Sequence, residues 1–146
     1  MHPFADIPIE IIGRHQVQVL GDSILMRYHG PYLPDDARRL LPIVTRVGKQ
    51  HGRVRLLLDL SDAEGPSPET RRILTEWRAD GFSCLALYFG ASFVNRGFLR
   101  IIHAAMRLVG HTDVENHHFA TESAALSYCS QRARPSPASI PAPVRF

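Results

Sequence analysis

The sequence has 146 residues, of which 45% are apolar and 21% charged, a composition typical of one soluble globular domain with a buried core. Lys and Arg outnumber Asp and Glu by 17 to 14, and a net charge of +3 is too small for a dedicated nucleic-acid binder. No apolar run reaches the roughly 18 residues that span a membrane, and the two cysteines lie far apart. We therefore expect a cytoplasmic protein without a cofactor, a nucleic-acid partner or a membrane span.

The chain divides into three parts. Residues 1–14 are predicted to be an N-terminal extension, residues 15–132 the domain, and residues 133–146 a flexible tail rich in Pro, Ala and Ser. An antiparallel hairpin is predicted near residues 15–29 with its turn at Gly21-Asp22. A helix is predicted to begin near Pro34 and to end at Gly52.

The remaining elements alternate between strand and helix. Continuous apolar strands are predicted at residues 54–60 and 82–90, with a weaker strand near 113–119. Helices are predicted at 68–81, at 93–110 and after the capping residue Thr121. The order predicts a mixed, largely parallel α/β sheet with an N-terminal antiparallel hairpin and about four helices.

Two segments of this chain resemble a known family. They are HGRVRLLLDLSDAEG (51–65), a strand that enters an acidic turn before a helix, and TESAALSY (121–128), the start of the last helix. With the element order, they make residues 15–132 resemble the STAS superfamily, named for sulfate transporters and anti-sigma-factor antagonists. The closer resemblance is to its stand-alone SpoIIAA-like branch, described as STAS or CRAL-TRIO-like. The resemblance implies a regulatory or protein-interaction module that is not an enzyme.

The helix after the central strand is where the family's antagonists carry a D-S-S-G-like motif, one serine of which is phosphorylated by a kinase. Here the stretch is GPSPETRR (65–72), which lacks the double serine and the glycine. Ser67 before Pro68 is predicted to cap the helix, with a phosphoacceptor or a partner contact as the alternative. We expect no standard phosphoswitch. The helix start and the acidic turn still form the expected protein-binding surface, with the residues Asp62, Glu64, Ser67, Glu69 and Arg71.

Basic residues of the predicted helix 93–110 recur at spacings of 4, 3 and 4, which places them on one helix face. Such a face is either solvated or contacts an anionic small molecule or a lipid headgroup, next to an apolar cleft between helix and sheet. The predicted anion or lipid contacts are this arginine stripe, Arg96, Arg100, His103 and Arg107, together with Ser92 just before the helix. A small-molecule or lipid-binding domain is therefore the alternative function, and a homodimer is also left open.

Catalytic and metal-binding motifs are missing from the sequence. It has no nucleophile–base set, no glycine-rich phosphate loop and no zinc-binding spacing. The neighbouring His117 and His118 lie on a predicted strand, so their side chains are expected on opposite faces of the sheet and cannot bind one metal ion.

Overall fold

The computed structural model describes residues 2–92, 96–97, 100 and 114–133. The strands and helices that it bounds are, in chain order, β1 (Glu10–Ile12), β2 (His15–Leu20), β3 (Ser23–Tyr32), α1 (Pro34–His51), β4 (Arg53–Pro66), α2 (Pro68–Glu76), β5 (Ser83–Phe89), β6 (Val114–Phe119) and α3 (Glu122–Ala133). Three helices are thus bounded, against about four expected. Arg96, Gly97 and Arg100 are also helical, whereas the rest of the predicted helix 93–110 and the tail from residue 134 lie outside the described residues.

The six strands form one sheet in the order β1-β2-β3-β4-β5-β6. Antiparallel pairing joins β1, β2 and β3, and parallel pairing joins β3 through to β6. The hairpin turn is Gly21-Asp22 because Leu20 pairs with Ser23, and Gly21 has a φ of 59°. The predicted mixed, largely parallel fold class is confirmed.

Helices cover both faces of the sheet, so the domain has two apolar cores. On the first face, α1 and α2 pack over side chains such as Ile24, Val54 and Ala86. On the second face, α3 packs over Leu25, Leu57, Leu87 and their neighbours. The inner strands β4 and β5 are therefore apolar on both faces, which explains their continuous rather than alternating pattern. No helix among the bounded elements is long and apolar enough to cross a membrane.

The N-terminal extension takes part in the fold more than the sequence suggested. Glu10–Ile12 form β1 and pair with β2, and Phe4 is 2% exposed in the core beneath α3. The Gln18 side-chain amide donates hydrogen bonds of 2.8 Å to the backbone carbonyls of Phe4 and Ile7. A three-residue strand has too little periodicity to be recognised in a sequence, and a core phenylalanine far from any element gives no local signal.

Helix α2 ends earlier than predicted, at Glu76 instead of residue 81. The next residue, Trp77, takes an extended conformation with ψ of 143°, and its indole N–H donates a 3.1 Å hydrogen bond to Thr45 Oγ1 of α1. Anchoring the indole on α1 therefore turns the chain out of the helix. Trp77 and Phe82 then pack into the core between α1 and the sheet.

Candidate functional site

The prediction of an acidic turn after residue 60 is wrong, because β4 continues as a strand to Pro66. Its last part pairs with the end of β3, with His29 opposite Asp62 and Tyr32 opposite Pro66, through two register shifts. The positive φ of Gly65, 93°, accompanies this irregular pairing. We call residues 61–66 the β4 extension. Asp62 and Glu64 are consequently fixed on a strand beside the start of α2.

The carboxylates of this region are accessible to a partner. Asp62 is exposed over 75% of its side chain, and its Oδ2 lies 2.9 Å from His29 Nδ1. Glu69 is exposed over 52% and lies 3.0 Å from Arg38 Nη2 of α1. Glu64 is exposed beside Gly30. Because exposed ion pairs contribute at most about 1 kcal/mol, these side chains can exchange their present partners for others.

Ser67 is the N-cap of α2, as predicted, and its hydroxyl both accepts and donates a hydrogen bond. Ser67 Oγ accepts a 3.2 Å hydrogen bond from the Thr70 backbone N–H and lies 2.8 Å from Thr70 Oγ1. Thr70 donates its own hydroxyl proton to the Tyr32 carbonyl at 2.8 Å, so the proton between the two hydroxyls belongs to Ser67. Thr70 is fully buried. The cap thereby joins the end of β3 to the start of α2.

The five residues predicted to bind a partner occupy consecutive elements around this cap. Asp62 and Glu64 lie on the β4 extension, Ser67 at the junction, and Glu69 and Arg71 in the first turns of α2. Arg71 is half-buried, and its backbone N–H donates a 2.9 Å hydrogen bond to the Ser67 carbonyl. We call these five residues the β4–α2 surface.

The arginine stripe is described in part. Ser92, Arg96 and Arg100 are exposed, and the Arg96 backbone N–H donates a 2.9 Å hydrogen bond to the Ser92 carbonyl, as in a first helical turn. Burial lowers the pKa of His118, and the nearby positive charges of Arg100 and Arg96 lower it further. His103 and Arg107 lie outside the described residues. The described arginines thus lie close to the α1/α2 face of β6.

The two neighbouring histidines of β6 lie on opposite faces, as predicted. His118 stacks on Tyr88 with ring centroids 5.1 Å apart, whereas His117 Nε2 lies 3.2 Å from the Tyr128 hydroxyl of α3. Within the described ranges, no three His, Cys, Asp or Glu side chains come together to hold a metal ion. The cysteines are separated likewise, since Cys84 of β5 is buried in the core beneath α1 and α2 and Cys129 of α3 in the core on the other face.

A cavity of about 160 Å³ lies on the α1/α2 face of the sheet. Four aromatic side chains line it together with aliphatic residues of α1, α2 and β4, and we call it the aromatic cavity. The apolar cleft predicted between the sheet and helix 93–110 lies largely outside the described residues. The described lining of the aromatic cavity was not predicted, because its residues resemble ordinary core positions on strands and helices. The lining that bears on its chemistry consists of Tyr28, Tyr32, Val44, Leu58, Trp77, Ala86, Tyr88 and Asn116.

The tyrosines around the aromatic cavity are neutral phenols. Burial raises the pKa of Tyr28, Tyr32 and Tyr88 above its ordinary value. Tyr88 donates a 3.2 Å hydrogen bond to Asn116 Oδ1, and Tyr28 lies 3.3 Å from the Met26 sulfur. Neutral hydroxyls therefore supply the polar groups of an otherwise apolar space.

His15 forms a buried pair that the sequence analysis missed. Its ring is fully buried, Nδ1 accepts a 3.1 Å hydrogen bond from the His29 backbone N–H, and Nε2 lies 3.1 Å from Asp36 Oδ2. The proton of the neutral ring is therefore on Nε2, and it is donated to the carboxylate. Burial lowers the pKa of His15 despite this carboxylate. Asp36 also accepts from the Leu33 backbone N–H at 3.1 Å, so the pair fixes the start of α1 on the sheet.

A second polar network ties α3 and the N-terminus to the opposite face. Arg27 Nη1 lies 2.8 Å from Asp59 Oδ2 and 2.5 Å from Glu122 Oε1, and His2 Nε2 lies 2.6 Å from Glu122 Oε2. The hydrogen bonds from Ser61 and the Arg27 guanidinium hold the pKa of Asp59 below its ordinary value despite burial. Asp59 therefore belongs to the hydrogen-bond network on the α3 face of the sheet and is separated from the β4–α2 surface.

No protein-family model matches the chain, and no curated protein matches it. Among solved structures, it is similar to an uncharacterized DUF3478-family protein with a SpoIIAA-like fold from Shewanella loihica PV-4. That match has 15% identity and a TM-score of 0.49, and covers 84% of this chain and 90% of the other. It is also similar to the anti-sigma factor antagonist SpoIIAA in its unphosphorylated form, with 12% identity and a TM-score of 0.47, covering 85% and 97%. At these identities the likeness concerns the fold alone.

Proposed function

We propose that this chain is a non-catalytic regulatory or protein-interaction module that binds a protein partner through the β4–α2 surface. The observation that supports this proposal is the placement of exposed carboxylates on a strand–helix junction held by buried hydrogen bonds. Asp62, Glu64 and Glu69 are exposed, while Thr70 beneath them is fully buried and bonded to both Ser67 and β3. A partner that presents basic side chains complements this charge.

The proposal includes regulation without phosphorylation of Ser67. A phosphoryl group on Ser67 Oγ would remove the proton that is donated to Thr70 Oγ1. It would also add up to about two negative charges beside Glu69. The first change breaks the hydrogen bond to Thr70 and the second repels the Glu69 carboxylate, although the helix N-terminus itself favours an anion. Binding is thus proposed to depend on the acidic side chains as they stand.

The absence of catalysis is also part of the proposal. In the described part of the chain, His15 and His29 are each paired with a carboxylate, and no hydroxyl or thiol is hydrogen-bonded to either ring. The hydroxyl beside His117 is the phenol of Tyr128. Ser67 bonds to Thr70, which cannot act as a base. A cytoplasmic location fits the buried cysteines, Cys84 and Cys129, which no disulfide joins.

Charge reversal tests the proposed surface. We expect Glu64→Lys combined with Glu69→Lys to abolish capture of the partner from extracts of the native cell. The matched control is Glu76→Lys combined with Asp80→Lys, which changes the net charge equally at exposed carboxylates outside the surface. The control should capture the partner as the wild type does. Equal capture by all three proteins, or a partner lost only from the control, would contradict the proposal.

Small-molecule or lipid binding is a second candidate function, and the aromatic cavity is the observation that favours it. The cavity is largely apolar with a few neutral polar groups, which is typical of ligand sites. Arg96 and Arg100 lie near His118, which stacks on the cavity residue Tyr88, so an anionic group outside the cavity could reach them. Native mass spectrometry of protein purified from its own host tests this candidate. A co-purifying mass supports it, and an unliganded mass argues against tight binding.

A further inference from the structure

We propose that the aromatic cavity binds an uncharged molecule with a single ring, of about the size of benzene or phenol. This inference rests on the second candidate function and narrows it from small molecules and lipids in general to one chemical class.

The volume of the cavity sets the size of the ligand. Its 160 Å³ is close to the roughly 150 Å³ of an engineered apolar cavity that stays dry and binds benzene. A single six-membered ring with one small substituent fits such a space. A long acyl chain does not, because most of its methylene groups would remain outside the cavity.

The described lining does not suit a charged ligand. Among the described residues that line the cavity there is no Asp, Glu, Lys, Arg or His, so none of these residues offers an opposite charge to an ion. Moving an ion from water into such surroundings without a partner costs far more than the apolar contacts return. The bound molecule is therefore neutral. Arg96 and Arg100 belong to the surface near the cavity and do not change this requirement.

The aromatic side chains favour a ring over an aliphatic ligand of equal size. Tyr28 and Tyr32 pack with ring centroids 4.9 Å apart, and Trp77 and Tyr88 add two more aromatic rings to the lining. Edge-to-face contacts with such rings stabilise an aromatic ligand beyond the burial of its surface. The tyrosine hydroxyls and the Asn116 amide are neutral donors and acceptors, which suits one hydroxyl or carbonyl substituent on the ring.

The chain has a built-in reporter for this test. Trp77 is its single tryptophan and lines the cavity, so the protein has one indole N–H signal in a ¹H–¹⁵N spectrum. We expect phenol and toluene, titrated into the labelled full chain, to shift this signal saturably with a Kd on the order of 1 mM or tighter. Decanoate, the acyl-chain probe, should bind at least tenfold more weakly.

A cavity-filling variant locates the binding. Ala86 lines the cavity on β5, so Ala86→Leu should weaken phenol binding at least tenfold. Ala124→Leu adds the same atoms at an exposed position of α3, on the other side of the sheet, and should bind phenol like the wild type. If Ala86→Leu does not fold, nuclear Overhauser contacts in the wild type decide. They should join the phenol ring to methyl groups of Val44 and Leu58.

The outcomes separate the inference from the function on which it rests. Saturable binding of decanoate without binding of either ring compound would overturn the inference and leave the second candidate function standing. If none of the three probes gives a saturable shift, both the inference and the second candidate function are overturned for the aromatic cavity. Ring binding that Ala86→Leu leaves unchanged, with contacts outside the cavity, would also overturn the inference.

Discussion

Ser67→Ala tests whether the hydroxyl at the start of α2 has a structural role. The substitution removes an acceptor for the Thr70 backbone N–H at 3.2 Å and a donor to Thr70 Oγ1 at 2.8 Å. Loss of an N-cap costs about 1 kcal/mol, and loss of a hydroxyl hydrogen bond to a buried partner adds up to about 1 kcal/mol. Because Thr70 is fully buried, water cannot replace the lost oxygen without local opening. We therefore expect the free energy of unfolding to fall by about 1–2 kcal/mol.

Urea unfolding followed by Trp77 fluorescence and circular dichroism measures this change. For a chain of this size the same loss lowers Tm by about 3–8 °C. Thr70→Val in the wild type and in Ser67→Ala completes a double-mutant cycle, and we expect a coupling energy of about 1 kcal/mol between the two hydroxyls. Thr70→Ser keeps the hydroxyl and is the matched control. In that background, Ser67→Ala should lower the free energy of unfolding by as much as it does in the wild type.

Two results would refute this account of Ser67. One is a stability of Ser67→Ala within about 0.3 kcal/mol of the wild type, together with additive effects in the cycle. The other is a substantial phosphorylated fraction at Ser67 in protein isolated from its native cell, since the hydrogen bonds to Thr70 would then be broken in normal use.

Three further changes test other contacts in the fold. Acid should destabilise the folded protein through His15. Burial lowers the pKa of His15 below its ordinary value of 6.5, so at acid pH the unfolded chain binds a proton at His15 more readily than the folded chain does. Stability should fall below about pH 6.5 by up to ~1.4 kcal/mol per pH unit in urea titrations, and His15→Asn should flatten this slope. Gly48→Ala places a Cβ 2.3 Å from the Phe82 ring. We therefore expect it to lower the stability by about 1–3 kcal/mol, although Gly→Ala inside a helix ordinarily raises stability. A stabilised variant would contradict this packing. Arg27→Ala leaves the Glu122 carboxylate without its guanidinium partner, and thermal unfolding should show a loss of stability of about 1–3 kcal/mol. The loss is smaller than for a fully buried pair because Arg27 is 27% exposed. Combining Arg27→Ala with Glu122→Gln should recover part of the lost stability.

The elements that the sequence predicted well are those with local signals. The hairpin follows from two alternating segments around Gly21-Asp22, and the cap of α2 follows from Ser67 before Pro68, which fits the first helical position. The largely parallel pairing follows from the alternation of strands and helices, because parallel neighbours require crossover connections. These features depend on neighbouring residues along the chain.

The features that the sequence did not predict depend on distant partners. The β4 extension is acidic and contains glycine and proline, so it resembles a turn, yet the long end of β3 supplies its hydrogen-bonding partner. His15 and Asp36 are 21 residues apart, and nothing in either local pattern shows that they meet in the core. The aromatic cavity likewise exists because side chains from α1, α2 and several strands fail to fill the space between them, which no periodicity reports.

Hydrogen–deuterium exchange of the wild-type chain, with and without the captured partner, tests the proposed β4–α2 surface most directly. Backbone amides in residues 61–72 should exchange more slowly in the complex, since a partner bound there reduces local opening and solvent access. Residues 76–80, which carry the control carboxylates, should exchange as in the unbound chain. Slower exchange confined to α3 or to β1 and β2, with residues 61–72 unchanged, would contradict the account.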